Sequence, residues 1–266
     1  MMRRWLPILT VTLTAVVAAS PLAAADPAGR SGEAGTTGAA AKTGTAARTG
    51  TVTTAAKART VDCAKVKCIA LTFDDGPGRH TGKLLKTLSK NKTKVTFFLM
   101  GRQADRYPGT ARAIARAGHE IGNHTYDHPH LTSLYDGLIR DELVRAQDSI
   151  ERATGRRPTL MRPPYGDTDE RVSGIAAELG LAQILWNRTA RDWELRNTKA
   201  ITKRVLGDAA RDKVVLMHDI WPETVAAMPG ILRSLKKKGY HVVTVSTLLR
   251  GRELGAGETY PVSGWR

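Results

Sequence analysis

Aromatic side chains are scarce in this 266-residue sequence, at 5%, with only three Phe. Together with the lack of a helix-turn-helix signature, a zinc finger or a stacking-aromatic motif, that scarcity argues against nucleic acid as partner. Cysteine is limited to Cys63 and Cys68. A metal pair would want further Cys or His at close spacing, and there are none, so the two thiols read as a disulfide closing a small loop in an exported domain. Loop-closure entropy assigns so short a ring about 2 kcal/mol. Acidic residues are also in the minority. There are 25 Asp and Glu against 41 Lys and Arg, for a formal net charge of +16 and a pI near 10.2. Such a surplus serves solubility or draws in a polyanion. For an exported chain, the anionic polymers of a bacterial wall are the expected partner rather than nucleic acid.

The N terminus reads as an export signal. Arg3 and Arg4 form a positive n-region, Trp5 to Ala19 a short apolar stretch, and Ala23-Ala24-Ala25 a small-residue cleavage site before Asp26. These features read as a signal peptide over residues 1–25. The apolar stretch is short for a membrane span, so an uncleaved anchor is the lesser alternative. The Arg pair is a weak sign of twin-arginine export. Residues 26–60 are Ala, Thr and Gly with scattered Lys and Arg, and they have almost no large apolar residue. Such a segment cannot bury enough surface to offset its ordering entropy and reads as a disordered linker. Residues 61–266 have the length of one α/β domain. The expectation is a secreted monomer, with association with the cell wall as a further option.

Within that domain, short apolar runs alternate with helical patterns. Strands are expected at residues 68–73, 95–100, near Ile121, and at 160–162, 182–186, 214–217 and 242–245. Helices are expected around Leu84 to Leu88 and at 103–117, 133–154 (Leu138, Leu143, Ala146 and Ile150 at helical spacing), 169–179, 198–209 and 222–237. Such alternation implies parallel strands with right-handed crossovers, as a barrel or an open sheet. In either, catalytic groups gather at the C-terminal ends of strands. Asp74-Asp75, His124, Arg162, Asp192 and His218-Asp219 all follow expected strands closely.

His124 and His128 stand at metal-ligand spacing, on a helix or a turn. With Asp75 they make three ligands for one divalent ion and leave positions open for water. Two His and one carboxylate also describe non-haem iron oxygenases, so the ligands leave two chemistries open. Asp74 favours hydrolysis, because a second carboxylate beside the ligand can serve as base on metal-bound water. His218 is a candidate acid for the leaving group.

Five segments then resemble, in order, the motifs of the polysaccharide deacetylases, the NodB-homology group or carbohydrate esterase family 4. They are Thr72-Phe-Asp-Asp-Gly76, His124-Thr-Tyr-Asp-His128, Arg162-Pro-Pro-Tyr165-Gly, Asp192-Trp193 and Leu216-Met-His218-Asp. The resemblance runs from about residue 67 to residue 249. It implies a distorted (β/α) barrel of parallel strands and removal of acetyl groups from a carbohydrate. By position it makes Asp74 the base, Asp75, His124 and His128 the ligands of one ion, zinc or cobalt, and Arg162 the partner of Asp74. The Tyr165 backbone N–H would face the oxyanion. His218 would protonate the departing amine and Asp192 would hold that imidazole, raising its pKa. Trp193 and Leu216 would wall the acetyl pocket. The expected substrate is N-acetylglucosamine in peptidoglycan or chitin-type oligomers. An acetylxylan esterase, or a wall-binding protein without catalysis, are the alternatives. One departure is Thr189, where many relatives carry Asp; it lies outside the inferred catalytic set. His80, His119 and His241 match no motif, His130 reads as loop, Lys236 to Lys238 as a solvated face, and Trp221 as cleft wall or packing.

Overall fold

The computed structural model describes residues 61–261; the expected signal peptide and linker lie outside them. The first strand explains how the rest is laid out. In β1 (Lys67–Asp74), side chains alternate between two faces, as a pleated strand requires. Ile69, Leu71 and Phe73 join the large apolar cluster under the helices, while Cys68 and Ala70 join a second cluster on the other face. That second face continues upward as Thr72 and then Asp74. One face is therefore apolar throughout, and the other turns polar towards the C-terminal end.

The remaining strands are β2 (Thr96–Leu99), β3 (Glu120–Asn123), β4 (Leu160–Met161), β5 (Ala182–Ile184), β6 (Arg188–Thr189), β7 (Lys213–His218), β8 (Tyr240–Val243) and β9 (Thr259–Tyr260). Every pairing among them is parallel, in the order β6-β7-β1-β2-β3-β4-β5-β9. Strand β7 runs along Ile69–Asp74 of β1. The opposite edge is shared, with β8 on Lys67–Ala70 and β2 on Thr72–Asp74. The sheet curls into a half-barrel surrounded by helices. Among the described residues no pairing joins β6 to β9, so the barrel is distorted and not closed.

The helices are α1 (Thr81–Lys90), α2 (Gly101–Arg106), α3 (Pro108–Arg116), α4 (Asp136–Thr154), α5 (Glu170–Glu178), α6 (Asp192–Leu195), α7 (Thr198–Gly207), α8 (Pro222–Lys237) and α9 (Val245–Leu248). Leu84 and Leu88 of α1, Ile114 of α3, and Ile231 and Leu235 of α8 pack on the outer face of the sheet. Each such fully buried side chain contributes roughly 1.5–3 kcal/mol. At the floor, Cys63 and Cys68 are disulfide-bonded with Cα atoms 5.4 Å apart. Arg211 donates to the carbonyls of Cys63 and Ala64 at 2.8 and 2.7 Å, which fastens the first turn to the sheet.

Several expectations from sequence need correction. The stretch 103–117 is two helices, because Tyr107 is non-helical (φ −128°, ψ 52°) and Pro108 restricts the residue before it and starts α3. Helix α4 begins at Asp136, since Ser133 ends a short turn with its hydroxyl on the His130 carbonyl at 2.7 Å. Its buried face carries Ile139 with Leu143, Ala146 and Ile150, and Leu138 faces solvent. The last expected strand ends early because Thr244 caps α9, accepting from the Thr247 N–H. The fold also extends past residue 249, where β9 adds to β5.

Candidate active site

Asp74 ends β1 and Asp75 leaves it in a left-handed turn (φ 69°), and both carboxylates reach the same cavity beside His124. Asp74 Oδ1 accepts from Arg162 Nη1 at 2.8 Å. Arg162, one residue past β4, is wholly buried under the strand ends. The same Nη1 donates to Thr72 Oγ1 at 2.7 Å, Nε to the Ile184 carbonyl at 2.8 Å, and Nη2 to the Leu185 carbonyl at 3.0 Å. Burial pulls the guanidinium below its ordinary value, and the Asp74 charge and hydrogen bond oppose that. A buried charge is tolerated only when paired and bonded in this way.

His124 and His128 stand on the loop after β3, which is a turn and not a helix. Asn123 Oδ1 accepts from Thr125 N–H at 2.8 Å, and Thr125 Oγ1 accepts from His128 N–H at 3.0 Å. From α4, Glu142 Oε2 takes the N–H groups of Tyr126 and Asp127 at 2.9 and 2.8 Å. This bracing holds Thr125 and His128 at positive φ, 62° and 68°. His124 Nδ1–H donates to the Arg162 carbonyl at 2.7 Å, which leaves the Nε2 lone pair free to bind.

These residues fit a divalent cation. Asp75 Oδ1 lies 3.4 Å from His124 Nε2 and 3.3 Å from His128 Nε2, and the three ligand atoms fall within 4.8 Å of one another. Ligand bonds of about 2.0 Å in tetrahedral zinc sites place ligand atoms about 3.3 Å apart. Asp75 Oδ1 is also buried without a hydrogen-bond partner. Burial would raise the Asp75 carboxyl, but His124 and the charges of His218 and His128 hold it well below the usual range. Burial, and then the neighbouring His124, push His128 down to about 4, so it is a neutral imidazole as a metal ligand must be.

His218 ends β7 on the opposite side of Asp75, its Nε2 lying 4.0 Å from Asp75 Oδ2. Its Nδ1–H donates to Asp192 Oδ1 at 2.8 Å. The buried Asp192 is fully engaged, with Oδ2 accepting from the His218 N–H and the Thr224 hydroxyl, each at 2.7 Å. Burial, the largest single influence, opposes the charged imidazole, but the bond to Asp192 and the charges of Asp192, Asp75 and Asp74 together outweigh it and lift His218 to about 9.

Asp74, Asp75, His124, His128, Tyr165, Trp186, Trp193, Leu216 and His218 line one cavity of about 360 Å³. The structure thus brings together the residues expected to bind metal, catalyse and wall the acetyl pocket, with Arg162 and Asp192 behind the wall. Tyr165 (φ 61°) and Trp193 stand exposed at the rim, 53% and 45% accessible. His130, first read as plain loop, stacks on the Tyr165 ring with centroids 3.8 Å apart and pairs with Asp167. Thr189 accepts from the Arg191 N–H at 3.1 Å and so shapes the turn into Asp192 without entering the cavity. His119 is structural, its Nδ1 accepting from Val95 N–H at 3.3 Å. His241 and Lys236 to Lys238 are exposed.

Sequence reasoning missed the supports. Thr224 carries no signal in a single sequence, and Thr72 opens the first motif but with nothing to show its bond to Arg162. Asp219 was noted only as the neighbour of His218. It is buried against the Thr81 hydroxyl, and burial raises it to about 7. A Cβ at Gly76 would lie 2.8 Å from the Asp219 Cγ, so only glycine lets the Asp75 turn pack there.

Comparison with known proteins points the same way. Residues 62–184 match the family described as polysaccharide deacetylase. The peptidoglycan-N-acetylglucosamine deacetylase PgdA of Listeria monocytogenes is 39% identical over 209 residues, which cover 78% of this chain and 44% of that protein. The chain therefore spans less than half the length of that relative. A peptidoglycan-N-acetylglucosamine deacetylase of Bacillus cereus is 37% identical over 190 residues, covering 69% of this chain and 89% of that one. Among solved structures, the T48 deacetylase with substrate superposes with a TM-score of 0.72 at 36% identity, over 75% of this chain and 99% of that one.

Proposed function

Because the chain belongs to the polysaccharide deacetylase family, we propose that it hydrolyses the N-acetyl group of N-acetylglucosamine residues in a wall glycan. What carries this reading is the placement of a base and an acid on either side of the three ligand atoms in one cavity. A zinc or cobalt ion held by Asp75, His124 and His128 would supply Lewis-acid polarisation of the acetyl carbonyl and make water a stronger acid.

The remaining steps fall to the chain itself. Asp74 Oδ2, 3.9 Å from His124 Nε2, faces the ligand atoms and takes a proton from the attacking water. Arg162 fixes the other oxygen of that carboxylate, so the base has one orientation. As oxygen adds to the acetyl carbon, the Tyr165 N–H serves as a donor to the developing oxyanion. The C–N bond then breaks. His218 Nε2 gives its proton to the departing nitrogen, and Asp192 stabilises the charged imidazole until that transfer. Trp193 and Leu216 bound the space for the acetyl methyl.

Both relatives named above are N-acetylglucosamine deacetylases, which favours an amide over an ester. Acetate release from a panel of N-acetylglucosamine oligomers, peptidoglycan and acetylated xylan tests the reading. Release from the amide substrates is expected; release from xylan alone, or from none with metal present, contradicts it. The pattern of residues 1–25 and the +16 charge support export to the wall, which cell fractionation tests.

A further inference from the structure

A second cavity of about 360 Å³ opens beside the first, lined by Arg79, Arg106, Arg196, His80, Gln103 and Trp221. We propose that it binds a carboxylate carried by the glycan strand next to the sugar being deacetylated. The proposal rests on the deacetylase reading and names a subsite for its substrate.

Three observations carry it. The first is charge. Arg79 and Arg106 are exposed and enter no ion pair among the described residues. Arg196 lies over the Trp221 ring, its Cζ 3.9 Å from the centroid, with Glu223 on its Nε at 3.3 Å. Three guanidinium groups thus face one acid, and their planar forks match a carboxylate. The second is unmet hydrogen bonding. Trp221 Nε1 and Gln103 Oε1 are buried without partners. Trp Nε1 only donates and so asks for an acceptor, whereas the Gln103 oxygen accepts and that side chain offers a donor here only with its amide turned over. The third is position. Gly78 lies three residues past Asp75 and Trp221 three past His218, and three residues span at most about 11 Å. Gly78 and Ile220 meet here, a Cβ on Gly78 falling 3.3 Å from Ile220 Cγ2, so both loops of the active site also wall this cavity. An acidic group bound there belongs to the sugar or short peptide adjoining the reactive residue. This accounts for Trp221, which the sequence left between cleft wall and packing.

The test is calorimetric binding to the metal-loaded chain of two matched disaccharide-peptides, one with free carboxylates and one amidated. Both are already N-deacetylated, so the readout does not depend on catalysis. The free acid should bind about tenfold tighter or more, the worth of one charge-assisted hydrogen bond, and the gap should shrink with salt. R79Q/R106Q, at exposed positions outside any ion pair, should remove most of that preference, and R196Q should reduce it. Equal binding of acid and amide overturns the proposal. So does a preference surviving in R79Q/R106Q, or a glycerol-phosphate oligomer binding more tightly than the carboxylate ligand. If acid preference holds while no glycan releases acetate, the catalytic reading fails and this one stands.

Discussion

At the floor of the half-barrel the buried residues are Cys63, Cys68, Ile69, Ala70, Val214 and Val243, whereas at its mouth they include Thr72, Asp74, Asn123, His124, Arg162, Asp192 and Asp219. Positive φ outside glycine occurs at both ends, at Lys92 and Asp212 on the floor, but it is more frequent at the mouth. Asp75, Thr125, His128, Tyr165 and Arg191 all take positive φ on loops that follow strands at the mouth. Each such residue costs about 1–3 kcal/mol where no glycine relieves it. The same β1 serves both ends, so the contrast reflects what each end must do. Apolar burial and a covalent link stabilise the floor; buried charge and strained turns at the mouth hold side chains where chemistry needs them.

The contrast can be broken from either side. The largest effect is expected from Asp75→Ala, which removes a ligand atom shared by two histidines. Metal content and acetate release should both vanish, and zinc or cobalt should restore a stripped parent but not this variant. Next comes His218→Gln, with a loss in kcat of about 10²–10⁴. The parent should lose rate as pH rises and His218 gives up its proton. Because the folded value of His218 is raised to about 9 from 6.5, its contribution to stability is complete below pH 6.5. It is lost as pH rises through about 9. Melting temperatures of the metal-free parent and His218→Gln should therefore converge across that window.

Arg162→Met leaves Asp74 buried without its partner and should destabilise the fold by about 3–5 kcal/mol in denaturant titrations. The smallest effect belongs to the floor. Cys63→Ser/Cys68→Ser should cost about 2 kcal/mol of stability and leave kcat as it is. A large loss of kcat there would show that the two ends are not separable.

Most of the mouth was legible in the sequence because its residues are chemically unusual and follow strands. Asp74, Asp75, His124, His128 and His218 stand out as types, and strand periodicity put them at one end. Their supports were not legible. Thr224 acts through one hydroxyl bond to Asp192, and no local pattern distinguishes it from other threonines; Thr72 opens the first motif, but nothing in that motif points to its bond with Arg162. The short elements β6, β9 and α6 escaped for a different reason. They are two to four residues long, too short for a periodicity to repeat, and distant partners fix them. The break at Tyr107 was readable from Pro108 but hidden by a continuous Ala-rich pattern.

The central claim is that Asp74 acts as a base while Asp75, His124 and His128 hold the metal. Acetate release and bound metal measured together on Asp74→Asn test it most directly. The account predicts full metal content with kcat reduced by about 10²–10⁴; a variant that releases acetate at the parental rate would contradict it.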